Sequence, residues 1–324
     1  MREPAVASSP ELAILLVTDS YEAIAECLRC LRTGGDPALL EVVVATVRGA
    51  RIAPERLQAD GFARVRVIDG GDGEIGIAEA RAVRAATAPW VVFAQGHIHP
   101  QPGFVAALLA ARAPGVAVIG PAMACANPEH ASSRAELWLG YGRWMDAPPR
   151  GVHSDVPAHG SAYDRAALLA LGPELDRSLE ASWRLQQQLR LRGGICWLEP
   201  AARAARVNAS SVRAYVDVYY RLGRRFAAER SLDWARTRRL AFAAGSPALP
   251  ALRVARIVAD ALRRQPAHAE WTLLPLVTLG AIASAAGELV GYLLGFGAPS
   301  VFVRRNEAQT RRPATREGSR PSCS

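Results

Sequence analysis

The sequence contains no lysine: all 39 basic side chains are arginine, against 30 carboxylates, for a formal net charge of +9. Aromatic residues are only 6% of the chain. Excess arginine suits a phosphate-bearing ligand or an anionic membrane surface as well as nucleic acid. With few aromatics and no nucleic-acid-binding motif beside it, a nucleic-acid partner is not expected. Cysteine is scarce too, at 27, 30, 125, 196 and 323. Cys27-Leu-Arg-Cys30 falls inside an amphipathic helical pattern and no second pair exists, which excludes a zinc ribbon or a thioredoxin-like motif. Reduced thiols and the lack of an N-terminal leader point to a cytoplasmic chain. Long apolar runs are limited to one, 271–297, where 272–287 and 289–297 carry no charge. That length spans a bilayer, but Pro275, several glycines and Glu288 argue against a simple span. Gly280, Ala283, Ser284 and Gly287 are small enough to pack against another helix.

What is present fits a folded enzyme-sized chain. Its 324 residues, half of them hydrophobic, can bury a full core as one large domain with an appendage. The organising stretch is 90–104. Trp90-Val-Val-Phe-Ala94 has the composition of a strand buried on both faces. It stops at the polar cluster Gln95-Gly96-His97-Ile98-His99, and Pro100 and Pro102 forbid regular continuation. Ligands bind outside the carboxyl ends of strands in open α/β sheets, so this cluster lies where chemistry is expected. His97 and His99 have a spacing that suits one cation, or simply a turn with backbone hydrogen bonds.

Further strands are expected over 12–18, 41–47, 65–68 and 116–119, with another over 195–198 closed by Pro200. Helices are expected from Asp19 to Arg32, with Asp19 and Glu22 as a capping box, then to Ala86, over 104–111, 166–171 and 175–189. The alternation implies a three-layer α/β domain with a mostly parallel sheet. The glycine-rich loop 69–76 does not follow the first strand, so it is not a dinucleotide fingerprint. Residues 127–157 read as an irregular lid or substrate wall carrying Trp138, Tyr141 and Trp144. Residues 211–265 are helical and arginine-rich, and 252–264 is a basic amphipathic stretch of the kind found at membrane interfaces or on solvated helix faces.

In order, Leu-Leu-Val-Thr-Asp-Ser-Tyr-Glu (15–22), Leu-Glu-Val-Val-Val (40–44), Ala-Glu-Ala-Arg-Ala (78–82), Trp-Val-Val-Phe (90–93) with Pro-Gln-Pro-Gly-Phe (100–104), His-Gly-Ser-Ala-Tyr-Asp-Arg (159–165) and Leu-Glu-Ala-Ser-Trp-Arg-Leu (179–185) resemble glycosyltransferase family 2. The resemblance implies a GT-A nucleotide-diphospho-sugar transferase domain over 11–210. Around it lie a flexible N-terminus (1–10), an arginine-rich helical region (211–270), a membrane-associated or partner-packing segment (271–297) and a disordered tail (298–324). It places donor binding at Thr18, Asp19, Arg81 and Gln95, and the acceptor side at His159, Ser161 and Tyr163. It places the catalytic base at Glu180, unless the family's carboxylate aligns with Ser182 instead. A divalent cation, manganese or magnesium, would be held at His97 and His99. The family's metal-binding DxD positions fall on Gln95 and His97; a relative pattern in a branch the chain resembles is Glu-Asp-His, here Gln-Gly-His, so the site lacks its carboxylates, and Gln95→Glu with Gly96→Asp would restore them. Ala45-Thr46 replaces the usual acidic residue after the second strand, and Arg206 stands where a histidine is common. The implied function is inverting sugar transfer to a hydroxyl acceptor for surface polysaccharide or glycolipid synthesis, at the cytoplasmic face of a membrane. The alternative is a catalytically degenerate binding or scaffolding subunit.

Overall fold

Four parallel strands and the helices between them form the first half of the chain. They are β1 (Leu12–Thr18), α1 (Tyr21–Thr33), β2 (Leu40–Val47), α2 (Pro54–Gln58), β3 (Arg64–Gly71), α3 (Ile75–Ala85) and β4 (Trp90–Ala94). The computed structural model describes residues 9–58, 61–71, 74–145, 147–180, 182–264 and 270–296. Of the expected flexible start over 1–10, residues 1–8 lie outside the described residues, as does the tail over 298–324. β1, β2 and β4 are apolar almost throughout and nearly every side chain in them is buried, as in strands covered on both faces. β1 pairs with β2 on one side and β4 on the other, with Thr18 opposite Thr46 and Leu16 opposite Ala94; β3 adds beyond β2. The β1–β2 connection moves outward and the β3–β4 connection crosses back. Right-handed crossovers therefore put α1 and α3 on opposite faces, giving three layers.

The stripe Ile24, Cys27, Leu28 and Leu31 of α1 is buried, so the cysteine pair is packing. Burial pushes the Cys27 thiol up to about 12, which leaves it protonated and unreactive at neutral pH.

The remaining elements of the sheet region are β5 (Ile98–Pro100), α4 (Phe104–Ala110), β6 (Val116–Cys125), α5 (Ala131–Tyr141), β7 (Gly151–His153), β8 (Ala162–Asp164), α6 (Arg165–Leu169), α7 (Glu174–Glu180), α8 (Ser182–Leu191) and β9 (Ile195–Arg206). β8 inserts antiparallel between β4 and β6, so the sheet order is β3-β2-β1-β4-β8-β6-β9-β5, with β7 on β9. The sheet is mixed but mostly parallel around its buried centre. Two sequence expectations are corrected. The segment 127–157 is not irregular throughout: α5 occupies its middle and buries Ala135, Leu137 and Trp138. Pro200 does not end the last strand, because the Ala201 N–H beyond it is taken by the Glu199 side chain (3.2 Å), which carries the chain past the missing donor.

Residues 9–124 with 147–205 make one compact unit, and 125–145 with 206–296 a second. In the second, α9 (Val212–Arg230), α10 (Arg236–Gly245), α11 (Leu249–Arg264) and α12 (Leu274–Leu294) follow β9. α12 is the apolar segment, long and apolar enough to cross a membrane. Its glycines lie against α9: a Cβ at Gly287 would stand 1.9 Å from the Tyr220 carbonyl oxygen, and one at Gly291 2.3 Å from that of Arg224. Gly223 of α9 makes the reciprocal approach to Ser284. Glu288 is buried and paired with Arg253 of α11, whose Nη1 also donates to the Ser284 hydroxyl at 2.9 Å. The small residues expected to pack against a helix do so, and the one acid in the segment has its counter-ion.

At the amino end of β2, buried Glu41 accepts from the Thr87 N–H (2.7 Å), the Thr87 hydroxyl (2.9 Å) and the Ala88 N–H (3.0 Å). It ties β2 to the turn that starts β4. Glu41→Ala leaves three donors without that acceptor and is expected to cost about 2–4 kcal/mol in urea unfolding, because charged hydrogen bonds are worth roughly 1.5–3 kcal/mol each before relaxation.

Candidate functional site

The carboxyl ends of β1 to β4 gather most of the expected donor-side residues. Thr18 is buried, and its hydroxyl donates to the Ser20 carbonyl (2.8 Å) while accepting the Ser20 N–H (3.2 Å). This turn replaces the expected capping box. Ser20, not Asp19, is the N-cap residue of α1, with no side-chain cap, and Glu22 pairs outward with Arg56 at 3.1 Å. Asp19 is thereby released from helix capping, and its Oδ1 is buried with no hydrogen-bond partner.

On β2, opposite Thr18, the Thr46 hydroxyl donates to the Ile68 carbonyl at 3.2 Å. Two residues on, Arg48 sits in the left-handed region at φ 59°, its N–H donating to Gly71 at 3.3 Å. Its Nη1 is buried without a hydrogen-bond partner. Arg81 reaches from α3 to the same glycine: a Cβ at Gly71 would lie 3.1 Å from its Nη1. That nitrogen donates to the Asp69 carbonyl (3.1 Å), and the guanidinium is half-exposed.

Beyond β4, the Ile98 N–H closes a turn on the Gln95 carbonyl at 2.9 Å. Gly96 in that turn passes so near α1 that a Cβ would stand 1.8 Å from the Ala23 carbonyl oxygen. The expectation that Gly96→Asp restores the site is therefore overturned, since backbone occupies the space of the side chain. His97 is half-buried with Nε2 away from solvent. His99 lies against α1, beside the Glu26–Arg29 ion pair (2.6 Å). Gln95, His97 and His99 offer one neutral amide and two imidazoles, and no group of three or more His, Cys, Asp or Glu suited to a metal occurs among the described residues. This donor set lacks the charged oxygen ligands that magnesium prefers, and the imidazole of His97 is the group in it that would suit a softer ion such as manganese.

On the acceptor side, His159 is half-buried. Ser161 and Tyr163 are fully buried. The Ser161 hydroxyl donates to the Pro157 carbonyl; that of Tyr163 donates to Ala158 (3.0 Å) and accepts from Gln186 Nε2 (3.1 Å). Gln186 also holds both the N–H and C=O of Val156 at 3.0 Å. Burial drives the Tyr163 phenol well above its ordinary range. These two hydroxyls are internal braces, so the expected presentation of Ser161 and Tyr163 to an acceptor is corrected. α7 ends at Glu180 and α8 starts at Ser182; the side chains of both lie outside the described residues.

Sequence reading missed Arg48 and Gln186, neither of which stands in a motif. It also missed a polar cluster in the second unit. Glu136 of α5 accepts from Arg206 Nη1 (3.0 Å) and the Ala209 N–H (2.7 Å), while Asn127 Oδ1 accepts from the Ser133 hydroxyl (2.7 Å) and the Asn208 N–H (2.9 Å). Arg206 is thus committed to an ion pair.

Burial lowers the His99 pKa, with the Glu26 charge and a Gly96 backbone hydrogen bond opposing it, and the net shift is below 6.5. A folded-state value below the unfolded one means stability is held above pH 6.5 and lost as pH falls through that region, where the unfolded chain protonates first. Urea midpoints at pH 8 and pH 5 are expected to differ less in His99→Gln than in the parent chain.

No family model matches this chain, and no curated protein does. Solved structures do. The mannosyltransferase PcManGT from Pyrobaculum calidifontis, in complex with GDP-Man and Mn2+, is 17% identical over 87% of this chain and 88% of that one, with a TM-score of 0.53. S. aureus TarS 1-349 is 14% identical over 87% and 90%, at 0.45. Glucosyl-3-phosphoglycerate synthase from Mycobacterium tuberculosis is 18% identical over 68% and 79%, at 0.43. With the parallel β1–β4 core and the antiparallel β8 insertion, the chain has a GT-A-like α/β fold.

Proposed function

We propose that this chain moves a sugar from a nucleotide-diphospho-sugar to a hydroxyl acceptor in the making of a surface polysaccharide or glycolipid. The observation that carries the reading is the GT-A fold with a polar carboxyl edge, where open α/β sheets bind ligands. Thr18, Asp19, Arg81 and Gln95 line the donor side, and Arg81 offers a half-exposed guanidinium to it. In the transfer, the acceptor oxygen bonds to the anomeric carbon as the bond to the diphosphate breaks. The electron pair leaves with the diphosphate, and the acceptor proton passes to a base, for which Glu180 is the choice and Ser182 the neighbour. PcManGT is described with Mn2+. Here the charge on the leaving group falls to guanidinium and imidazole donors, which stabilise an anion without a metal.

The second reading, a catalytically degenerate binding subunit, is favoured by Gly96, whose surroundings exclude the middle carboxylate of a metal site. One experiment separates the two. The full chain is incubated with UDP-, GDP- and dTDP-sugars in EDTA and in manganese, and Arg81→Ala is run beside it. Transfer that persists in EDTA, with nucleotide affinity lowered about tenfold or more by Arg81→Ala, supports the enzyme. Nucleotide binding with no transfer from any donor supports the subunit. Affinity unchanged by Arg81→Ala removes Arg81 from the site.

The membrane role rests on α12. The face of α12 that carries Leu279, Ile282 and Leu293 is exposed and uncharged. The full chain is expected to float with anionic vesicles, and less so after Ile282→Glu; wholly soluble, monomeric behaviour at low and high salt would sink the idea.

A further inference from the structure

We infer that Arg48 and Asp19 together read the base of the donor nucleotide and select guanine. The inference rests on the donor-binding reading above. Two oppositely charged groups stand at the carboxyl ends of adjacent strands: Asp19 just past β1 and Arg48 just past β2. Asp19 Oδ1 and Arg48 Nη1 are both buried, and each lacks a hydrogen-bond partner. Buried polar atoms are almost always paired, so two unpaired ones on half-buried, oppositely charged side chains at a ligand edge call for a ligand that supplies both partners.

The backbone points the same way. Arg48 is the one non-glycine residue with positive φ among the described residues, at 59°. Glycine follows it in sequence, yet the left-handed turn is made by the arginine. Strain of that kind persists where the surrounding structure imposes it and clusters at ligand sites. The Arg48 N–H is pinned to Gly71, which holds the turn in place.

The placement also separates base from phosphate. Neighbouring strands are about 4.8 Å apart, so the ends of β2 and β4 lie roughly 10 Å apart with β1 between them. That is the span of a nucleoside with its first phosphates. Gln95 and His97 stand at the β4 end, and Arg48 at the other. A half-buried guanidinium with one nitrogen shut away from solvent suits a planar acceptor edge better than a hydrated, doubly charged phosphate.

Guanine alone among the common bases satisfies both groups twice over. Its O6 and N7 accept a guanidinium fork, and its N1–H and exocyclic amine donate to a carboxylate. Uracil presents a single N3–H between two carbonyls and has neither a ring N7 beside a carbonyl nor an exocyclic amine. Adenine offers N7 and one amine, with no carbonyl.

The test is calorimetric titration of the full chain with GDP, UDP and ADP in EDTA, repeated on Arg48→Gln, Arg48→Gly and Asp19→Asn, with the melting temperature of each. The parent chain is expected to bind GDP about tenfold or more tighter than UDP or ADP. Arg48→Gln and Asp19→Asn should each lower GDP affinity about tenfold or more and shrink the GDP-over-UDP ratio, since guanine makes two bonds to each group where uracil makes at most one. Arg48→Gly relieves the positive φ, so it should lose selectivity with a melting temperature unchanged or raised, a result that loss of fold cannot mimic. Equal affinity for the three nucleotides in the parent chain overturns the inference. So does an Arg48→Gln variant that weakens all three alike, which would put Arg48 on the phosphates. If no nucleotide binds the parent chain, the donor-binding reading itself fails.

Discussion

Where the turn after β4 passes α1, backbone meets backbone, and much of the site follows from that contact. Gly96 comes so near the Ala23 carbonyl that no side chain fits between them. The approach fixes the turn closed by the Ile98 N–H on Gln95, and it sets His99 beside the Glu26–Arg29 pair. It also fixes the chemistry by exclusion. A position that elsewhere on such an edge could hold a carboxylate is here reserved for a hydrogen atom. In the donor-binding role proposed above, positive charge for a diphosphate is drawn from side chains on other strands, and arginine is the only basic residue the chain has besides histidine.

The parts of the fold legible in the sequence are those whose pattern is local. β1, β2 and β4 are continuous apolar runs, and a strand buried on both faces cannot be written any other way. The stripe of α1 identified Cys27 and Cys30 as packing for the same reason. β5, β7 and β8 were not legible, because three residues carry no period and each exists only through its neighbours in the sheet. α5 was hidden by its composition: its buried side includes Ser132, Ser133 and Glu136, whose polar groups are satisfied by residues more than sixty positions away or by Asn127.

The proposed site is argued from place more than from detail. Its position at the carboxyl edge follows from the alternation of strands and helices, and Thr18, Asp19 and Arg81 follow from matched segments. The roles of individual side chains depend on contacts that spacing does not encode. Ser161 and Tyr163 look like polar residues at a binding wall but are buried braces, because Gln186 on another helix takes up the Tyr163 hydroxyl. Arg48 looks like a loop arginine, and only its backbone angle and its lone buried nitrogen set it apart.

The glycine face of α12 bears on how the chain reaches its native state. A run this apolar is also a substrate for membrane insertion, and two outcomes compete for it as it emerges. α9 precedes α12 in the chain, so the surface shaped to receive Gly287 and Gly291 exists before the segment that needs it. Arg253 likewise comes before Glu288, and a carboxylate that meets its counter-ion within the protein is costly to withdraw into lipid. The order of the elements thus gives the apolar helix partners encoded earlier in the chain than the helix itself.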